Sequence, residues 1–207
     1  MLDYELELYK KYDYIAGSDE AGRGPLCGPV VCAACIMGKD FVNEEINDSK
    51  KLTDKKRREL FELIKKEAIS YAIVVISPQE IDRINIYEAS RKGMQEALKS
   101  LNVVPQYILT DAMPLKELTS IPSEALIKGD AKSINIAASS ILAKVTRDNI
   151  MLELDKKYPQ YQLAKHKGYP TKLHLELLEK YGPIKEIYRY SYKPVQKFLY
   201  RQVELFV

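Results

Sequence analysis

The run Val30-Val31-Cys32-Ala33-Ala34-Cys35-Ile36-Met37 constrains the fold more than any other stretch of this chain. It is too short to cross a membrane, which takes about 18 apolar residues. It also lacks the apolar–polar alternation of a strand with one wet face. A strand of this kind is buried on both sides, inside a sheet with helices above and below. Pro29–Met37 is therefore read as a strand, paired in a hairpin with Tyr14–Asp19 across a glycine-rich loop. Cys32 and Cys35 form a C-x-x-C within it, but no second pair of ligands stands at zinc spacing. They are read as small core hydrophobes. With Cys27 the cysteines number three, leaving one unpaired in any disulfide scheme, and a reduced cytoplasmic setting is expected.

Downstream, strands and helices alternate. Thr53 caps a helix running to about Ala68, with an apolar stripe of Leu60, Phe61, Leu63 and Ile64. Tyr71–Ile76 is a β-branched strand. Ser77-Pro78-Gln79-Glu80 opens a helix with Ser77 as N-cap, Pro78 at the first position and Glu80 at the third. That helix is expected to break near Asn85 and end near Leu101. Gln106–Thr110 and Ala125–Lys128 read as further strands. Helices follow over about Asn135–Lys157 and Lys172–Tyr181, the latter stopped by Gly182-Pro183. The expectation is a single α/β domain over 1–207: a mixed sheet flanked by helices, a helix within 1–13, and a helical C-terminal segment. No apolar run is long enough for a membrane span.

The first strand ends on two acids, and the loop Ala21-Gly22-Arg23-Gly24-Pro25 follows. Adjacent carboxylates repel unless a cation or a proton relieves them. Gly22 and Gly24 let backbone N–H groups come close to a ligand, and Arg23 carries a fork suited to phosphate. Asp111 ends a later strand, and Asp130 lies between a strand and the long helix. In open α/β sheets, functional groups gather at such boundaries. Four carboxylates (Asp19, Glu20, Asp111 and Asp130) without a histidine or cysteine partner suit hard cations such as Mg²⁺ or Mn²⁺. Asp148 falls on the apolar face of the long helix, in line with Ile141, Val145 and Leu152. It is read as a buried, hydrogen-bonded acid outside the metal set. His166 and His174 are read as surface or substrate-side residues.

The chain carries a net charge of only +3, yet Lys156–Gln202 holds eleven Lys or Arg against three Asp or Glu, with eight tyrosines interleaved. Two readings stand open. Cations and flat rings suit a nucleic-acid surface, and the same pattern describes a solvated basic face whose tyrosines pack inward.

Taken together, these segments resemble the type 2 ribonucleases H, and within them ribonuclease HII of bacterial type. The resemblance rests on Asp19-Glu20-Ala21-Gly22-Arg23-Gly24-Pro25, Asp48-Ser49-Lys50-Lys51-Leu52, Asp111-Ala112, Lys128-Gly129-Asp130-Ala131-Lys132-Ser133, the stretch Ala137–Asp148, and His166-Lys167-Gly168-Tyr169-Pro170-Thr171-Lys172. Their order matches, over about residues 14 to 195. Arg23, where ribonuclease HIII usually has threonine, and the short stretch before Asp19 both favour HII. One departure is Tyr188-Arg189-Tyr190-Ser191-Tyr192, where the family commonly has His-Arg-Arg-Ser-Phe. The resemblance implies that this stretch belongs to the C-terminal substrate surface.

The resemblance implies a ribonuclease H-like fold in which Asp19, Glu20, Asp111 and Asp130 hold two Mg²⁺ or Mn²⁺ ions. It implies an endonuclease that hydrolyses the RNA strand of RNA–DNA hybrids and cuts DNA duplexes 5′ of embedded ribonucleotides, leaving 3′-hydroxyl and 5′-phosphate ends. Backbone groups of Gly22, Arg23 and Gly24 and the hydroxyl of Tyr169 are the expected readers of the 2′-hydroxyl, and Lys50 is an expected phosphate contact. A non-catalytic hybrid-binding module of the same fold is the alternative; the complete acid set speaks against it. The last residues, Gln202-Val203-Glu204-Leu205-Phe206, are similar to peptides that bind the bacterial sliding clamp through Gln202, Leu205 and Phe206. Packing of those residues onto the parent domain is the competing reading. A monomer is expected.

Overall fold

The computed structural model describes residues 3–43, 45–46, 52–115 and 120–204, the side chains of 3 and 200–204 excepted. In chain order the elements are α1 (Asp3–Tyr9), β1 (Ile15–Ala21), β2 (Val30–Ile36), α2 (Asp54–Glu67), β3 (Ser70–Ile76), α3 (Pro78–Ile84), α4 (Ile86–Lys99), β4 (Tyr107–Asp111), β5 (Ser123–Leu126), α5 (Ile134–Lys157), α6 (Leu163–His166), α7 (Lys172–Tyr181) and α8 (Lys193–Glu204). The chain divides into two compact units. The first comprises residues 1–21, 31–75 and 90–145, and the second residues 22–30, 76–89 and 146–207.

The first unit contains a five-stranded mixed sheet in the order β3-β2-β1-β4-β5. β1 pairs antiparallel with β2 and parallel with β4, and β4 pairs parallel with β5. Every residue of β2 is buried, as its unbroken apolar run requires. All three cysteines are free and buried. Thr53 and Ser77 cap α2 and α3 through their side chains. Asn85, at φ 67°, separates α3 from α4. β5 begins and ends two residues before the expected strand, and Lys128 adopts the left-handed region.

β1 and α5 meet backbone to backbone. A Cβ built on Gly17 would lie 2.1 Å from the carbonyl carbon of Asn135, so only glycine fits. Ser139 Oγ donates to the Gly17 carbonyl across this contact (2.9 Å). At the start of α5, the buried carboxylate of Glu5 accepts from the Asn135 side chain (3.0 Å) and from the Ser133 hydroxyl, tying α1 to the helix.

The second unit has its own core of Leu26, Cys27, Met151, Tyr161, Leu163, Leu178, Ile187, Tyr188 and Val195, with Tyr158, Tyr190, Tyr192 and Phe198 packed against it. Most tyrosines of the basic segment thus point inward. Tyr169 and Tyr181 stay exposed.

Candidate active site

In the first unit, β1 delivers Asp19 and Glu20 near its end, and β4 delivers Asp111 at its last residue. Ser18 lies opposite Thr110 in the β1–β4 register, which brings the ends of both parallel strands together. Asp19 is buried, and burial is the largest cause pushing its carboxyl well above the usual aspartate range. The charges of Glu20 and then Asp111 push it further in the same direction. A hydrogen bond from Ser140 and one from the Glu20 N–H (2.7 Å) oppose the shift. The Asp111 carboxylate accepts from the backbone N–H of Gly129 (2.8 Å). That bond draws the single-turn 3₁₀ segment Gly129–Ala131 to the end of β4, and with it the buried Asp130.

Asp19 lies in the negative field of Glu20 and Asp111. Among the described residues, no three His, Cys, Asp or Glu side chains are grouped so that together they could hold a metal ion. Mutual repulsion opposes such grouping while the charges stay unneutralised. The donor set is entirely oxygen, and its most buried member is destabilised as an anion. Both features fit a hard divalent cation and fit zinc poorly.

In the second unit, the loop Gly22–Gly28 is built around two buried arginines. Arg189 donates from Nε to Gly28 O (3.0 Å), from Nη1 to Arg23 O (2.9 Å) and from Nη2 to Gly22 O (2.6 Å) and Gly28 O (2.9 Å). Its remaining N–H reaches the Tyr192 hydroxyl (2.9 Å). Arg147 donates to the carbonyls of Pro29 (3.1 Å), Cys27 (3.3 Å) and Lys167 (3.0 Å). Gly22, at φ +102°, has no room for a side chain: a Cβ would sit 2.1 Å from Arg147 Nε. Burial lowers both guanidinium pKa values, that of Arg147 to about 10. Arg23 and Gly24 are exposed, and a Cβ on Gly24 would lie 3.6 Å from the ring of Tyr169.

Residues 16–195 match the family described as Ribonuclease HII. A ribonuclease HII from Acholeplasma laidlawii is 52% identical over 199 residues, covering 96% of both chains.

The chain belongs to the ribonuclease HII family.

Among solved structures, ribonuclease H2 from Pyrococcus horikoshii is similar with a TM-score of 0.78 at 30% identity, covering 91% of this chain and 98% of that one. The ribonuclease HII of a PCNA:RNase HII complex from Archaeoglobus fulgidus has a TM-score of 0.74 at 28% identity, covering 87% and 95%. The fold is the ribonuclease H-like one, and the chain is an endoribonuclease of the ribonuclease HII family. Among the described residues no helix is long and apolar enough to cross a membrane.

Several sequence expectations for this ribonuclease HII chain need amending. His166 and His174 are not surface residues: they are 6% and 0% exposed, and their rings stack 4.1 Å apart. His166 accepts the Gly168 N–H at Nδ1 (3.1 Å), and His174 bonds the Tyr169 carbonyl (2.9 Å). Both therefore anchor the turn that carries Tyr169. Asp148 is buried, as its place on α5 required, and belongs to the second unit. Lys50, Leu205 and Phe206 lie outside the described residues, as does the side chain of Gln202. Arg147 and Arg189 are functional candidates that the sequence alone does not expose. Their signal was weak: each sits inside a stretch compared with the family, but composition counts a buried arginine as surface charge.

Proposed function

We propose that this chain cleaves the RNA strand of RNA–DNA hybrids and cuts DNA duplexes 5′ of embedded ribonucleotides, leaving 3′-hydroxyl and 5′-phosphate ends. The observation that carries this reading is the buried Asp19 inside the shared field of Glu20 and Asp111, a donor set that calls for hard cations. Asp19, Glu20, Asp111 and Asp130 would hold two Mg²⁺ or Mn²⁺ ions. When bound, such ions supply Lewis acidity toward the phosphate and lower the pKa of a water. The residues themselves do the positioning. Asp111 keeps the Gly129–Ala131 segment, which carries Asp130, against the end of β4. The Glu20 N–H fixes the rotamer of Asp19.

Selection of ribose rests on the 2′-hydroxyl, which DNA lacks. Backbone groups of Gly22, Arg23 and Gly24 and the Tyr169 hydroxyl read it, and the exposed Tyr169 ring stacks on the following deoxyribose. Lys50 contacts phosphate, and the cations of the C-terminal segment track the backbone. Contact with a sliding clamp through Gln202, Leu205 and Phe206 is supported by the terminal sequence and by the complex in which the Archaeoglobus fulgidus neighbour was solved. The three free, buried cysteines support a cytoplasmic setting.

The test is incubation with a duplex holding one ribonucleotide, with and without Mg²⁺ or Mn²⁺. Metal-dependent cutting on the 5′ side of the ribose is expected, with an all-DNA duplex spared. Cutting of both duplexes, or of neither, would overturn the reading.

A further inference from the structure

The guanidinium of Arg189 is fully buried, and all five of its N–H donors are used. Four go to backbone carbonyls of the Gly22–Gly28 loop and the fifth to the Tyr192 hydroxyl. Tyr192 in turn donates to the Arg23 carbonyl (2.7 Å), which therefore receives two hydrogen bonds. The Tyr192 ring also lies over the Arg189 guanidinium, 5.2 Å from its centroid.

The peptide bond is planar and trans, so the N–H of each residue points opposite to the preceding carbonyl. There is no cis peptide bond among the described residues. Drawing the Gly22 and Arg23 carbonyls inward onto Arg189 therefore turns the N–H groups of Arg23 and Gly24 outward. A cationic donor on a carbonyl also polarises its peptide unit, which makes the N–H on the other side a stronger donor. Two successive amides are thus aimed and strengthened by one side chain behind them. Gly24, beside Tyr169, is exposed on the outward side.

We infer that Arg189 and Tyr192 are positioning residues for ribose selection: they hold the loop with carbonyls inward, so that the Arg23 and Gly24 amides donate to the 2′-hydroxyl of the substrate. This rests on the ribose reading proposed above. Neither residue touches substrate. Lysine cannot replace Arg189, because it has three donors in a compact cluster where the loop uses five in a planar fork.

The experiment measures binding without turnover, by fluorescence anisotropy in an Asp19→Asn background. Two duplexes are compared, one with a single ribonucleotide and one all DNA, and the ratio of their Kd values gives the ribose preference. Adding Tyr192→Phe removes one hydroxyl from a half-buried ring and should lower that ratio about threefold, the scale of one neutral hydrogen bond. Adding Arg189→Lys should lower it about tenfold or more, since charge-assisted bonds are lost. Affinity for the all-DNA duplex should hold in both, whereas general loss of structure would weaken both duplexes together. A parent preference that Tyr192→Phe leaves whole overturns the inference alone. A parent with no preference overturns the ribose reading, and the inference falls with it.

Discussion

Acidification should destabilise the fold through His174, by an amount that follows from its surroundings. The ring is fully buried. Its Nδ1 faces the Tyr169 carbonyl (2.9 Å), which only accepts, so Nδ1 carries the hydrogen. Nε2 then accepts from the Tyr188 hydroxyl (3.0 Å). A second proton would replace that acceptor with a donor and put a charge against His166. Burial first, and then the neighbouring His166, lower the His174 pKa from 6.5 to about 4. The folded chain thus refuses a proton that the unfolded chain takes. The associated stability is present above about pH 6.5 and is lost as pH falls toward 4. Between pH 7 and pH 5 the loss is about 2 kcal/mol. That corresponds to about 4–8 °C in midpoint for a chain of this size. Calorimetry at pH 7, 6 and 5, on the native chain and on His174→Gln, isolates the effect, each protein being referred to its own value at pH 7. The variant should decline less steeply by about the same 2 kcal/mol. Equal declines would refute both the neutral, buried assignment and the tautomer derived from it.

Three further outcomes are expected. Asp19→Asn should abolish Mg²⁺-dependent cleavage while raising metal-free stability at neutral pH, because it removes an acid whose ionised form is disfavoured by burial and by Glu20 and Asp111; thermal unfolding in chelator together with a gel assay checks both. Tyr169→Ala should impair cutting at a single embedded ribonucleotide more than cutting of a long hybrid, by about tenfold on the scale of base–aromatic stacking, measured as the ratio of kcat/KM values. Raising salt from 50 to 200 mM should weaken duplex binding of the chain steeply, by about a thousandfold if six phosphates are contacted, and a titration of Kd against salt reads the slope directly.

Local chemistry made much of the fold legible. The β2 run announced a strand buried on both faces, Thr53 and Ser77 announced their helices, and Asn85 marked a break that is present at a positive φ. Asp19 and Glu20 stand near the end of β1 and Asp111 is the last residue of β4, positions close to the element boundaries that the sequence order exposes. What stayed hidden depends on partners distant in the chain. A histidine looks solvated in a lysine-rich stretch, and nothing nearby says that His166 and His174 will stack on each other and exclude water. Arg147 and Arg189 read as surface cations because charge counting assigns every arginine to solvent. Only the folded loop supplies the cluster of carbonyls that lets them be buried. Likewise the tyrosines of the C-terminal segment lack a single helical period, being divided among α7, α8 and the connecting turns, so their inward packing left no pattern to detect.

The bare Cα of Gly17 has a consequence for how sequences of this kind can vary. Where β1 meets α5, main-chain atoms rather than side chains set the spacing. Hydrophobic residues elsewhere in the first unit can be exchanged for others of similar bulk without moving that spacer. The strand bearing Asp19 and the helix that follows Asp130 therefore keep their separation while the interior around them drifts. The spacing of these two elements is insulated from the composition of the core by a contact too small to mutate.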